Sequence, residues 1–452
     1  MRELLESASA RAIAYLESLD KRRVSPDADA VQHLADLDIS LPDAGIDPQT
    51  MLNTLDQIGS PATVASAGSR YFGFVIGGSV PASLAAQWLA AAWDQNGGLR
   101  LASPVGAKLE DVSMRWLLDV LGLPEHCAVG FVTGATMANF TALAAARHAL
   151  LARQGWDVEA KGLFGAPEIS VIVGNEVHVS VLKALSMLGL GRERLIRVPV
   201  DGQGRMRVDG LTIKDENTIV CIQAGNVNTG AFDPAQEICE RAHQAGAWAH
   251  VDGAFGLWAR ACPSRSYLGD GLELADSWAT DAHKWLNVPY DSGLAFVRSE
   301  LDLRAAMSAT AAYLITGEQR EPMHYTPELS RRARGVEIWA ALLSLGRRGL
   351  AEMIERDCRA AESFAAGLSA AGFQVLNDVC LNQVLVSFGD PETTNGVISA
   401  VQQDGTAWFG GTVWQGHTAM RISVSGWSTS DADVYLSVEA IKAAARKIGA
   451  QA

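Results

Sequence analysis

Basic charge and paired cysteines are what this chain has least of. Lys and Arg number 37 against 51 Asp and Glu, a formal net charge of −14, and so acidic a surface repels nucleic acid and anionic membranes. The six cysteines, Cys127, Cys221, Cys239, Cys262, Cys358 and Cys380, lie far apart without a C-x-x-C pair. That suits reduced thiols better than a disulfide framework or a zinc site. Met1-Arg2-Glu3-Leu4-Leu5-Glu6 carries acid where a secretion signal would carry base before an apolar core, so the expected compartment is the cytoplasm. A complete G-x-G-x-x-G after a strand, G-x-x-x-x-G-K-[ST], H-E-x-x-H and G-x-S-x-G are all missing, which removes the anchors of dinucleotide, NTP, zincin and hydrolase readings. Long apolar runs are scarce too. Gly73 to Trp93 has no charge, but Gly77-Gly78, Ser79, Pro81 and Gln87 make it a poor membrane span. The expectation is a glycine-rich turn, then a helix from about Pro81 to Trp93 packed inside the protein or against a second subunit.

At 452 residues and 48% hydrophobic content the chain can bury a large core and is longer than one typical domain. Apolar spacing predicts a helical arm over Glu3–Leu19, stopped near Ser25-Pro26. β-branched runs at Ile169–Val173, Leu195–Val198, Thr218–Ile222, Trp248–Val251 and Gly293–Val297 alternate with helical stretches at Met137–Leu151, Val181–Leu188 and Pro234–Ala245. This alternation predicts an α/β layer with a mostly parallel sheet, whose ligands sit at strand carboxyl ends. Ser308–Ser330 lacks a clean period and is expected to be a lid. Helices over Arg331–Leu345, Leu350–Leu368, Thr394–Gln402 and Asp431–Ile448, with strands at Phe373–Leu376, Gln383–Phe388, near Ala407 and at Met420–Val424, predict a smaller α+β domain. The expected division is an arm at 1–64, a large domain at 65–340 and a small domain at 341–452.

Chemistry concentrates in Trp278-Ala279-Thr280-Asp281-Ala282-His283-Lys284-Trp285-Leu286 and His250-Val251-Asp252-Gly253-Ala254-Phe255. A lysine among apolar and aromatic residues is costly to keep charged and tends toward the neutral amine that attacks a carbonyl. An aspartate ending an apolar strand is a natural partner for a protonated pyridine nitrogen. The pair describes the two ends of a pyridoxal 5'-phosphate (PLP) site; the bland reading of Asp252 is a structural carboxylate paired with an arginine. Thr133-Gly134-Ala135-Thr136-Met137-Ala138-Asn139 runs into a helix, where free N–H groups and the Thr136 hydroxyl suit a phosphate, or else form an ordinary threonine cap. His178 follows a strand, placed to stack on a ring and guide a proton, or simply to cap a helix. Asn228 and Thr229 sit in a polar turn after another strand.

In order and spacing these motifs resemble the group II PLP-dependent amino-acid decarboxylases, which include the aromatic-L-amino-acid, glutamate, histidine and tyrosine enzymes. The resemblance runs from about Tyr71 to the last helix. It implies a fold-type I PLP enzyme acting as a homodimer on a small amino-acid substrate, with active sites near the subunit boundary. By position, Lys284 is the Schiff-base lysine, Asp252 the pyridine-nitrogen partner, Ala254 the contact beneath the ring and His178 the residue above it. Ala135, Thr136 and His283 hold the phosphate, and Asn228 matches a position lining the cofactor. Tyr290 matches an aromatic position lent across the dimer, and Arg421 an arginine near the substrate. Tyr71-Phe72-Gly73-Phe74-Val75-Ile76-Gly77-Gly78 aligns with a pocket wall whose glycines suggest room for a sizeable side chain.

One departure bears on the reaction. Pro322 falls where the family's mobile loop carries the tyrosine that returns a proton after carbon dioxide leaves, and Tyr325 is the nearby substitute. The expected function is decarboxylation of an L-amino acid, aromatic in the first instance, through a Lys284 Schiff base. The alternatives are a PLP-dependent aldehyde synthase, an aminotransferase or a carbon–carbon lyase.

Overall fold

A computed structural model describes residues 1–309 and 319–450; part of the expected lid, 310–318, lies outside the described residues. The chain forms two compact units, one of Gly77–Arg359 with Asn377–Gln383, the other of Met1–Ile76, Ala360–Leu376 and the chain from Val384. Both units are discontinuous in sequence, so neither 64/65 nor 340/341 is a unit boundary.

The first unit is built on seven strands, β1 (Ala128–Val132), β2 (Ser170–Gly174), β3 (Ile196–Val198), β4 (Thr218–Gln223), β5 (Trp248–Asp252), β6 (Ser277–Asp281) and β7 (Gly293–Val297), in the order β1-β7-β6-β5-β4-β2-β3. β2 to β6 run parallel to one another, whereas β7 is antiparallel to β1 and β6. Strands β1, β4, β5, β6 and β7 are buried along their full length, as a sheet covered on both faces requires, and continuous apolar runs reveal such strands better than alternation does.

Strand β6 defeats that signal. Its Ser-Trp-Ala-Thr-Asp carries three polar side chains inside the protein, each satisfied locally: Ser277 Oγ meets Trp248 Nε1 and His250 Nδ1 at 2.9 Å, and Thr280 Oγ1 donates to the Gly253 carbonyl at 2.8 Å. Helices Ala135–Arg153, Val179–Met187 and Ala235–Gln244 follow β1, β2 and β4, within a few residues of expectation. Ala142, Ala145, Ala146 and Ala149 let the first of these approach the sheet closely.

The uncharged stretch ends in a helix over Pro81–Trp93, as expected. Among the described residues no helix is long and apolar enough to cross a membrane. The two helices expected after Arg331 form one element, Gly335–Ala370, broken at Gly346, whose φ of 61° only glycine adopts readily.

In the second unit, β8 (Gln374–Val375), β9 (Gln383–Ser387), β10 (Gly410–Trp414) and β11 (His417–Ser423) make a sheet of order β10-β11-β9-β8, with helices Pro391–Asp404 and Asp431–Ile448. Phe72 packs against Phe364 and Phe409 with ring centroids 4.9 and 5.3 Å apart. The arm forms the helix Arg2–Ser18, with no buried residue.

Gly293 shows how tightly the sheet edge is drawn. A Cβ there would stand 2.4 Å from Gly134 Cα, so β7 and the turn before Ala135 touch backbone to backbone. Gly293→Ala is expected to lower stability by about 1–3 kcal/mol or more in denaturant unfolding; unchanged unfolding would contradict this contact.

Candidate active site

The parallel strands deliver their chemistry to one edge. Val132 and Asp281 both pair with Gly293, Asp252 pairs with Gln223 and with Ala279, and Val173 pairs with Cys221. The residues that follow these ends are the Ala135 helix, Lys284, Ala254, Asn228 and His178, so the topology gathers at one edge positions that are widely separated in sequence.

Asp281 is the centre of this edge. Its side chain is 3% exposed, and it accepts from the Ala135 N–H at 2.5 Å through Oδ1 and meets Lys284 Nζ at 2.9 Å through Oδ2. His283 Nε2 stands 3.4 Å from Oδ1. Because His283 Nδ1 accepts from the Ser292 N–H at 3.1 Å, the neutral ring carries its proton on Nε2, toward Asp281. Burial holds this imidazole below its ordinary pKa, against the opposing pull of Asp281. Lys284 is therefore not an amine among apolar groups alone, as the sequence implied; it has a buried carboxylate partner. Trp285, the next residue, is wholly buried and donates from Nε1 to Asp357 Oδ2 at 2.8 Å.

The other end of the site lies at β5. Asp252 is buried; its Oδ1 accepts from the Ala254 N–H at 3.3 Å, and its Oδ2 lies 3.4 Å from Ser180 Oγ. Ser180 Oγ also meets His178 Nδ1 at 2.8 Å, and the Ser180 N–H donates to that nitrogen at 3.2 Å. His178 thus caps the Val179–Met187 helix, which is the bland reading of it, and the same cap holds its ring beside Asp252. Asn228 is buried in a turn in which its N–H donates to Asn226 Oδ1 at 2.9 Å.

PLP demands an anion seat, an amine, a flat ring slot and a carboxylate, and these residues fit it. The Ala135 helix opens at the same edge, and its first turn with Thr136 offers donors to a phosphate, while the Ala135 N–H and the His283 Nε2–H face Asp281. Ala254 leaves a ring face uncrowded, and Asp252 ends its strand at the same edge as Lys284.

Of three further expected positions, Tyr325 stands apart, Tyr290 adjoins His283 and Arg421 belongs to the other unit. The Tyr325 ring is buried in the Pro322–Tyr325 turn, with the Arg320 guanidinium 4.2 Å from its centroid, and its hydroxyl is held by Glu300. Glu300 opens the helix after β7, beyond Val297, which pairs with Ser277 at the start of β6. The hydroxyl therefore lies a strand length from the end where Lys284 emerges. Burial and Glu300 push its pKa up to about 12, and the expected proton-returning role for Tyr325 is withdrawn. Tyr290 is half exposed and stacks on His283 at 4.2 Å. Arg421 belongs to the second unit, opposite Gly410 in the β10–β11 pair, where burial lowers the pKa of its guanidinium.

The glycines of Tyr71–Gly78 also need correction. A Cβ on Gly77 would fall 1.9 Å from the Lys284 carbonyl oxygen, and one on Gly73 2.1 Å from Trp408 Cζ3. Close packing, not open space, requires glycine at both. Reading by sequence missed Asp281 as the hub, together with Ser180 and Asp357. Asp281 was within the quoted motif, and its place three residues before Lys284 was the available signal.

A fold with a lysine and an aspartate at adjoining strand ends, a helix-borne anion seat and a capping histidine defines a PLP-dependent enzyme of the α/β class. A family profile described as the pyridoxal-dependent decarboxylase conserved domain matches residues 32–389. Aromatic-L-amino-acid decarboxylase of Bacillus atrophaeus is 28% identical over 384 residues, covering 82% of this chain and 78% of that protein. Acidic amino acid decarboxylase GADL1 of Mus musculus is 29% identical over 334 residues, 71% of this chain and 60% of that protein. The fold of Oryza sativa TDC with PLP and tryptamine superposes with a TM-score of 0.89 at 22% identity, over 99% of this chain and 97% of that one. The chain belongs to the pyridoxal-dependent decarboxylase family, within its group II amino-acid decarboxylases. It is a PLP-dependent amino-acid decarboxylase, a carboxy-lyase.

The Trp285 anchor makes stability depend on pH. Burial raises the Asp357 carboxyl from 3.8 to about 7, so between those values the folded state holds a proton that the unfolded chain has released, and stability falls as pH rises. Relative to Asp357→Asn, the wild type should lose up to about 4 kcal/mol from pH 4 to pH 7 and little beyond. Parallel denaturant titrations would measure it, and a pH-independent difference would refute it.

Proposed function

We propose that this decarboxylase acts on L-amino acids with aromatic side chains, with Lys284 carrying the cofactor as a Schiff base. The ion pair from Lys284 to buried Asp281 is the observation on which the reading rests, because it holds the amine at the strand edge shared with Asp252. Bound there, PLP supplies an aldehyde that condenses with amines and a protonated ring that draws electrons from the breaking bond. The residues of the chain do the rest. Ala135, Thr136 and His283 take the phosphate, Asp252 keeps the pyridine nitrogen protonated, Ala254 and His178 flank the ring, and Asn228 lines it. Lys284 would hold the cofactor through its aldehyde, with Asp281 keeping the amine in place. His178, whose Nδ1 accepts from the Ser180 N–H, carries its proton on Nε2 when neutral.

Support for an aromatic substrate comes from relatives named for one, the aromatic-L-amino-acid decarboxylases of Bacillus atrophaeus and Bos taurus. Relatives named for aromatic and for acidic substrates both match, so the substrate panel must contain both kinds. With carboxyl-labelled L-amino acids, aromatic substrates should release labelled carbon dioxide and amine faster than aspartate or glutamate. Lys284→Ala should lose about a thousandfold or more of that rate. Aldehyde with ammonia, or a keto acid, as the main product would overturn the reading.

The active form is proposed to be a homodimer. The helices between Arg2 and Ala62 bury no residue, while Leu34, Leu37, Ile39 and Leu41 stand exposed, apolar area that a second copy would cover. Light scattering should return about twice the 48.0 kDa of one chain; a single-chain mass at micromolar concentration would sink this assignment.

A further inference from the structure

A chain of buried polar groups crosses the sheet behind the site, and its donors can be assigned one by one. Trp248 Nε1 can only donate, and it gives its proton to Ser277 Oγ at 2.9 Å. Ser277 Oγ lies 2.9 Å from His250 Nδ1, and His250 Nε2 lies 2.8 Å from Asn139 Oδ1. An amide oxygen only accepts, so His250 carries its proton on Nε2 and takes the Ser277 hydroxyl on Nδ1. Burial pulls this imidazole down to about 3, leaving it neutral and the direction unchanged through the physiological range. Asn139 Nδ2 in turn donates to Ser180 Oγ at 3.4 Å. His250, Asn139 and Ser277 are wholly buried and Ser180 nearly so, so no bulk solvent competes for these protons.

The direction ends at one hydroxyl with one proton left to place. Ser180 Oγ has two acceptors within reach, His178 Nδ1 at 2.8 Å and Asp252 Oδ2 at 3.4 Å. Nothing behind it can take the proton, because Asn139 presents its amide N–H. We propose that Ser180 is a positioning residue of this decarboxylase, its hydroxyl tying the carboxylate at the pyridine nitrogen to the histidine over the ring face, with the Trp248–Ser277–His250–Asn139 chain fixing it as a donor toward them. When the hydroxyl points to His178 it fixes the imidazole with its proton on Nε2. When it points to Asp252 it adds a charge-assisted bond to the carboxylate. The electronic state of the ring and the orientation of His178 are coupled through this one proton. The inference rests on the proposed roles of Asp252 and His178.

The test uses the full-length protein loaded with PLP, comparing Ser180→Ala, Ser180→Thr and Asn139→Leu with the wild type. Borohydride reduction followed by peptide mass analysis first records whether PLP is attached at Lys284. Ser180→Ala should keep that attachment, bind PLP about tenfold more weakly by equilibrium dialysis, and shift the visible absorption of the bound cofactor. Ser180→Thr, which keeps the hydroxyl, should restore both to within about twofold. Asn139→Leu, which removes the amide bonded to Ser180 and His250, should shift the absorption in the same direction as Ser180→Ala but by less. A wild type loaded at Lys284 whose Ser180→Ala variant has the same absorption and PLP affinity would overturn the Ser180 role alone. Equal damage in Ser180→Thr and Ser180→Ala would do the same, since bulk rather than the hydroxyl would then be at fault. A wild type with no PLP at Lys284 would overturn the site reading and this inference together.

Discussion

The carboxylate of Asp281 is the constraint on which the rest of this site depends. An ionised carboxylate inside a protein is stable only where donors and positive charge surround it. Here they come from two separate pieces of chain: the first N–H of the Ala135 helix, and the His283 ring and Lys284 amine that follow Asp281 itself. The backbone is held at the same point, with the Asp281 N–H donating to the Ala254 carbonyl at 2.8 Å and its own carbonyl accepting from Trp258 Nε1 at 3.0 Å. A residue so engaged cannot move without releasing β1's helix, β5's turn and the lysine together, which is how one side chain sets the spacing of the phosphate seat, the ring slot and the amine.

The glycines and the tryptophan around it follow from the same compactness. Gly293 lets β7 meet the Gly134 turn, and Gly77 lets its loop lie against the Lys284 carbonyl. Asn287, at φ 55°, donates from its side chain to the Lys284 and Trp285 carbonyls at 3.2 and 3.1 Å. Trp285 is sunk into the interior and bonded to Asp357. Lys284 emerges from a turn pinned on its own backbone and on its neighbour's side chain, and such support is what keeps a reactive amine in place.

Much of this was visible in the order of residues. Strands made of β-branched runs, the helices between them and the motifs around Asp252 and Lys284 all emerged where expected, because a buried parallel strand needs apolar residues whatever its neighbours are. Strand β6 was visible only through the lysine that follows it, since Ser277, Thr280 and Asp281 are polar groups satisfied by partners from other strands. Tyr325 misled for the opposite reason: its position in sequence is near the family's loop tyrosine, yet its ring is sealed beneath Arg320 and its hydroxyl taken by Glu300.

By itself the sequence determined the α/β class and the cofactor, since residue type and local spacing decide what a strand end or helix start can bind. Only tertiary structure decided the partners: that Lys284 faces a carboxylate, that Gly73 and Gly77 are packed rather than open, and that Ser180 stands between His178 and Asp252. Those facts depend on which strands lie side by side, and hydrogen bonds and close contacts between segments far apart in the chain leave no period in the sequence to be read.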